Sequence, residues 1–207
     1  MSILAQKNIL IGVSGGIAAY KVPLLIRQLV KLKSNVKVVM TPSSKDFVTP
    51  LTLSTVSNND VFSEFTTEKN NNPTWNNHVE LAEWADIFII APATSNTISS
   101  MASAQCNNLL LACYLSSKCP VFVAPAMDLE MYKNTLNQTN IKKLVSNNTD
   151  VLPVGSGSLA SGLEGEGRML EPNDIIDYVE NKFKKSLPLN SLNFLITAGP
   201  THEKIDP

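Results

Sequence analysis

The chain has 207 residues, with 17 Lys and Arg against 18 Asp and Glu and 43% hydrophobic residues, which suits one α/β domain with a core, or a domain plus a fragment. So even a charge balance offers no broad basic surface, and neither nucleic acid nor an anionic membrane is an expected partner. Cys106, Cys113 and Cys119 are odd in number and lack a CxxC spacing, so they read as reduced cytosolic thiols rather than a disulfide framework or a zinc site.

The opening MSILAQKNILIGVSGG carries an apolar run too short for a membrane span and lacks the charged start and cleavage site of a signal peptide. A soluble cytoplasmic protein is expected. Its first predicted strand is NILIGV, Asn8 to Val13. The following GVSGGIAAYK places Gly12, Gly15, Gly16 and Ile17 where a strand ends and a helix opens. Backbone N–H groups at such a turn suit a phosphate, although a tight strand-to-helix turn needs the same glycines. IAAYKVPLLIRQLVKL has apolar positions at helical spacing, and Pro23 falls early, where a missing N–H does least harm.

A second strand, Asn35 to Met40, leads into MTPSSKDFV with Thr41, Ser43 and Ser44. Asn70 to Asn77, NNNPTWNN, is polar and reads as a flexible surface insertion. Next come His78 and a short helix, VELAEW, feeding a strand from Asp86 to Ala93 whose end carries Thr94, Ser95, Asn96 and Thr97. NNLLLACYLSS reads as a helix and Pro120 to Ala126 as a fourth strand, followed by Met127, Asp128 and Met131. The strands are β-branched and mostly apolar throughout, as strands covered on both faces are. Their alternation with helices predicts right-handed crossovers and a doubly wound parallel sheet in three layers, flavodoxin- or Rossmann-like.

Ligands in such sheets bind beyond the carboxyl ends of the strands. Three loops rich in hydroxyl and amide groups would converge there on one polar ligand, while each alone also reads as a helix cap. His78 and His202 are the only histidines; His78 is expected near the same edge, where an imidazole can give and take a proton, or in a structural role. The methionines after the fourth strand equally suit a sulfur-rich packing patch.

SLASGLEGEGRM, Ser158 to Met169, combines backbone freedom with one planar anion-reader, Arg168. It reads either as a solvent loop or as a flap hinged on Gly157, Gly162, Gly165 and Gly167. A helix from about Asn173 to Lys185 closes a domain of residues 1–190. The tail, residues 191–207, contains NFLITAGPT, a strand with no helix after it, and is expected to open a second domain.

In order, GVSGGIAAYK, TPSSKDFV, NHVELAEWAD, APATSNTI, PAMDLEMY and LASGLEGEGRM resemble the flavin-dependent cysteine decarboxylases, and within them the phosphopantothenoylcysteine decarboxylases. The resemblance covers Lys7 to Lys185. The tail FLITAGPTHEKIDP resembles the opening of the partner synthetase, which joins cysteine to phosphopantothenate with CTP and Mg2+. The resemblance implies FMN, its phosphate at Gly15, Gly16 and Ile17, with Thr41, Ser43, Ser44, Ser95, Asn96, Thr97 and Ala126 around the rest. His78 matches the family's essential histidine. Asp128 stands where the family motif PxMNxxMW has Asn, Met131 matches, and Tyr132 replaces Trp. Ser161 stands where the flap motif ACGxxGxGRM has a proton-donating Cys. Asp128, Met131, Ala160 and Arg168 would meet the substrate, 4′-phosphopantothenoylcysteine.

The implied chemistry is oxidation of the cysteinyl thiol to a thioaldehyde, loss of CO2 into that electron sink, and return of the electrons with a proton. Either Ser161 relays the proton from water or from Asp128, or the final reduction is slow and enethiol accumulates. The family also implies trimers, with FMN between subunits, or dodecamers built from them. A flavin prenyltransferase is disfavoured by PAMDLEMY and the GEGRM flap, and a peptidyl-cysteine decarboxylase by the LITAGPT tail. A non-catalytic FMN-binding regulator finds its support in Ser161. Detection of CO2 from the substrate separates it from a lyase.

Overall fold

The computed structural model describes residues 2–69, 72–186, 195–197 and 199. In chain order it runs β1 (Asn8–Val13), a 3-10 turn (Ile17–Lys21), α1 (Val22–Lys31), β2 (Asn35–Met40), a second 3-10 turn (Pro42–Asp46) and α2 (Pro50–Ser57). β3 (Val61–Phe62), β4 (Thr66–Lys69), β5 (Asn72–Trp75), α3 (His78–Trp84) and β6 (Ile87–Ala93) follow. Then come α4 (Ser95–Ala102), α5 (Leu109–Ser116), β7 (Val121–Pro125), α6 (Leu129–Lys133) and α7 (Thr135–Ser146). β8 (Asp150–Val151), β9 (Gly155–Ser158), β10 (Glu164–Arg168) and α8 (Pro172–Ser186) complete it.

Six strands form one parallel sheet in the order β3-β2-β1-β6-β7-β8. Numbered within that sheet alone, this is the Rossmann order, and it reverses between β1 and β6. The crevice beyond that switch point is where an open sheet of this kind leaves room for a ligand.

Strand alternation sorts the core into two halves. Ile9, Ile11 and Val13 of β1 join Ile87, Ile89 and Ala91 of β6 on one face, beneath Val22, Leu25, Ile26 and Leu29 of α1 and Ile175 and Val179 of α8. Leu10, Phe88 and Ile90 point to the other, under Leu81 of α3 and Leu109, Leu110 and Cys113 of α5. The α1 side chains recur at helical spacing on one stripe, which is why this helix lies flat on the sheet. Gly12 permits the close approach of α5: a Cβ there would stand 3.0 Å from Phe88 and 3.1 Å from Leu110.

Two expectations need correction in detail. The polar segment before His78 is partly ordered, because Asn72–Trp75 pairs antiparallel with Thr66–Lys69. Trp75 stacks on Phe65 with ring centroids 5.7 Å apart, giving this exposed hairpin an apolar anchor. Ser95–Ala102, read as part of a loop, is a helix whose N-cap Thr94 accepts from Thr97 N. Of the expected terminal strand, Leu195, Ile196 and Thr197 have no regular secondary structure, and the rest, with His202, lies outside the described residues apart from Gly199. Among the described residues no helix is long and apolar enough to cross a membrane.

Phe88 is fully buried at the centre of the second core half. Phe88→Ala is expected to lower stability by about 3–5 kcal/mol, read as a shift of the urea midpoint.

Candidate functional site

A cavity of about 650 Å³ opens at the carboxyl edge of β1, β6 and β7. Its floor comes from Gly15, Gly16 and Ile17 after β1, from Thr94, Ser95 and Asn96 after β6, and from Ala126, Met127 and Asp128 after β7. Its roof is the β9–β10 hairpin, through Ser158, Ala160, Ser161, Gly167 and Arg168.

The floor loops are locked to one another. Ser14 is fully buried; its hydroxyl donates to the Pro92 carbonyl at 2.7 Å and accepts from Thr94 N at 3.1 Å. A Cβ on Gly15 would come within 2.5 Å of Ser43 Oγ and 2.9 Å of Ser43 backbone carbon, so the two loops meet backbone to backbone. The first helical turn after β1 begins at Gly16 in extended conformation with no side-chain cap. By contrast Thr94, Asn77, Asn108 and Asp128 each cap their helices with a side-chain oxygen. The N–H groups of the Gly16 turn therefore have no side-chain acceptor at the cap, which suits an anion.

Several hydroxyls expected around a ligand are placed behind this surface. Thr41 and Ser44 are buried, with Ser44 Oγ donating to the Thr41 carbonyl at 2.7 Å and Thr41 Oγ1 3.2 Å from Ser43 Oγ. Thr97 is buried and shares a 3.2 Å hydrogen bond with Thr94. Thr41, Ser43, Ser44 and Thr97 line no part of the cavity and instead hold its loops. Gly15, Gly16, Ile17, Ser95, Asn96, Ala126, Asp128, Met131, Ala160, Ser161 and Arg168 do line it.

Ser158 to Met169 is an antiparallel hairpin rather than an irregular loop, with a register shift between Glu166 and Arg168. Leu159 N donates to the Leu163 carbonyl at 2.8 Å, closing a tip that exposes Ser161. Gly167 is required at its root. Its φ is +133°, and a Cβ would lie 2.3 Å from the Met127 carbonyl oxygen. Met127 N donates to the Gly167 carbonyl at 3.0 Å. The hairpin is thereby hinged on the segment that carries Asp128, whose Oδ1 accepts from Leu129 N at 2.7 Å.

His78 begins α3, with Asn77 as its cap, but does not line the cavity. Its Nδ1 is buried without a partner, and its ring meets Phe65 edge-on at 6.3 Å. An unpaired buried nitrogen costs free energy that a partner would recover. No cysteine lines the cavity. Burial, and to a lesser degree Cys106, pushes the Cys113 thiol up to about 12, and burial also raises Cys119. Sequence reasoning passed over Lys21, which lines the cavity, is buried, and ends the 3-10 turn just before α1, four residues before Leu25. A lysine in that register was the available signal.

The chain matches the flavoprotein family over residues 2–184. The coenzyme A biosynthesis bifunctional protein CoaBC of Bacillus subtilis is 40% identical over 207 residues, covering 99% of this chain and 50% of that protein. The CoaBC protein of Escherichia coli is 42% identical over 204 residues, covering 99% and 50%. The chain thus spans about half the length of these curated relatives. Among solved structures, a cysteine-to-serine mutant of PPC decarboxylase complexed with pantothenoylaminoethenethiol gives a TM-score of 0.77 at 30% identity, covering 87% of this chain and 100% of that one. The FMN binding protein AtHal3 gives 0.73 at 28%, covering 88% and 99%. With a six-stranded Rossmann-order sheet, a cavity at its switch point and a family match that runs from β1 through α8, this chain belongs to the flavoprotein family.

Proposed function

We propose that the chain is an FMN-dependent carboxy-lyase that converts 4′-phosphopantothenoylcysteine to 4′-phosphopantetheine in coenzyme A biosynthesis, in the cytoplasm. The observation that carries the reading is the cavity at the switch point, floored by the uncapped Gly16 turn and roofed by a glycine hairpin. Its volume falls within the roughly 300–1,000 Å³ of small-molecule sites. The relatives' names supply the cofactor and substrate: an FMN binding protein, a PPC decarboxylase and coenzyme A biosynthesis proteins.

The residues fit FMN. The backbone of Gly15, Gly16 and Ile17 would hold its phosphate, because the missing Cβ atoms let that turn sit against Ser43 and Thr94 and no side chain caps its N–H groups. Ser95, Asn96 and Ala126 would line the remainder, backed by Thr41, Ser43, Ser44 and Thr97. The chemistry gained with the flavin is a reversible two-electron sink, which the saturated thiol carbon lacks and no side chain of the cavity provides.

The protein's own groups bind, enclose and move protons. Arg168 presents a guanidinium suited to the substrate's phosphate or carboxylate. Met131 and Ala160 offer apolar surface to the pantothenoyl portion. Asp128 has one oxygen committed to Leu129 N, which leaves the other to exchange a proton with Ser161 at the hairpin tip. Closure of the hairpin would keep the reactive enethiol from water.

His78 serves the cavity of a neighbouring copy, and the protein works as a homo-oligomer, a trimer or a dodecamer. Support comes from its unpartnered Nδ1, its absence from its own chain's cavity, and the exposed Trp75 and Val79 beside it. Residues 191–207 open a second domain, to which ligation with CTP and Mg2+ belongs. This reading draws on relatives twice as long and on Leu195 and Ile196, which are 90% and 88% exposed here.

The protein is expected to purify yellow, and Gly15→Asp to lose the chromophore while keeping its far-ultraviolet circular dichroism. A colourless parent that FMN cannot reconstitute refutes the cofactor. His78→Asn should retain FMN and lose about a hundred- to ten-thousand-fold in turnover. Mixed oligomers of His78→Asn and Gly15→Asp chains should regain activity, because one chain supplies the imidazole and the other an intact cradle. Ser161→Ala should release CO2 yet form saturated product about a hundredfold more slowly, with Ser161→Cys reversing the loss.

A further inference from the structure

Lys21 is the only charged side chain among the buried described residues, 4% exposed. An ammonium stays out of water only when it is paired. Lys21 Nζ donates to the Met169 carbonyl at 2.9 Å and to Glu171 Oε1 at 2.6 Å, partners 148 and 150 residues along the chain. Met169 and Glu171 immediately follow β10, so both belong to the root of the roof hairpin. Lys21 itself ends the turn that starts at Gly16. One buried ammonium therefore fastens the root of the roof to the uncapped Gly16 turn of the floor.

The same Glu171 Oε1 lies 3.5 Å from Arg168 Nη2. Its two cations are not equivalent. Lys21 is 5% exposed at the side chain and Arg168 is 37%. A long, partly exposed pair is easily exchanged, whereas the buried ammonium would be left without its counter-charge. Both cations line the cavity.

We propose that Lys21 is a positioning residue that anchors the hairpin root through Met169 and Glu171, so that Arg168 can trade Glu171 for an anionic group of the ligand as the hairpin closes while the root stays fixed. The anchoring follows from the contacts alone. The exchange rests on reading the cavity as the site of a phosphorylated, carboxylated substrate.

The test is cleavage by a glutamyl endopeptidase at Glu164 and Glu166, both exposed on the hairpin, with fragments identified by mass. It is run on FMN-loaded and unloaded parent, Lys21→Met, Lys21→Arg and Glu171→Gln, each with phosphopantothenoylcysteine, with its dephosphorylated analogue, and with neither. In the parent, substrate should slow cleavage, and the analogue's effect tells whether phosphate or carboxylate draws Arg168 away. Lys21→Met and Glu171→Gln should be cleaved roughly tenfold faster and lose the protection, with Glu171→Gln binding as much FMN as the parent. Their KM for substrate should rise more than kcat falls, and Lys21→Arg should recover most of both. Parental cleavage rates and KM in Glu171→Gln would overturn the proposal. If Lys21→Met does not fold, Glu171→Gln, changed at a half-exposed side chain, decides with Lys21→Arg. A parent that takes up no FMN refutes the functional reading instead, and the unloaded proteins still decide the anchoring.

Discussion

Backbone contact without side chains is the constraint on which the cavity depends. At Gly15 the turn after β1 touches the loop after β2, and at Gly167 the hairpin root touches the carbonyl of Met127. A methyl group at either point would occupy space already filled, by Ser43 in the first case and by a carbonyl oxygen in the second. These approaches bring the ends of three parallel strands and one hairpin into a single enclosure. The fully buried Ser14 hydroxyl then ties the end of β1 to the end of β6.

Rigidity and mobility are divided between floor and roof. The floor rests on strands whose side chains are buried in both core halves. The roof is a two-stranded ribbon with glycines at positive φ and an exposed tip, a construction that opens at low cost. Lys21 and Glu171 sit where these two regimes meet. A charged pair there is a weak source of stability, but it fixes direction and register, as a hinge requires.

The proton inventory is equally uneven. The cavity holds a carboxyl group at Asp128, an alcohol at Ser161 and two cations at Lys21 and Arg168, but among the described residues no thiol or imidazole. Cys113, pushed up to about 12, is an inert core residue. An alcohol is a far weaker acid than a thiol. His78 lies outside the cavity lining, with a buried nitrogen that has no hydrogen-bond partner.

The sequence by itself determined the architecture, because strand and helix periods are local. NILIGV, NVKVVM, DIFIIAPA and PVFVAPA read as covered strands, and each lies in the parallel sheet. It also indicated the edge at which the loops after these strands gather, since every parallel strand delivers its following loop to the same edge, but the loop after β2 backs the cavity instead of lining it. Which residues of those loops face the cavity was decided only by tertiary structure. Thr41, Ser44 and Thr97 have the chemistry of ligand contacts, yet their hydroxyls are spent on neighbouring loop atoms. Lys21 stands in the register of the buried stripe, but its partners Met169 and Glu171 arrive from 148 and 150 residues away. Spacing along the chain encodes which way a side chain points on its own element; it does not encode what another element brings opposite, and a buried charge is defined by that partner.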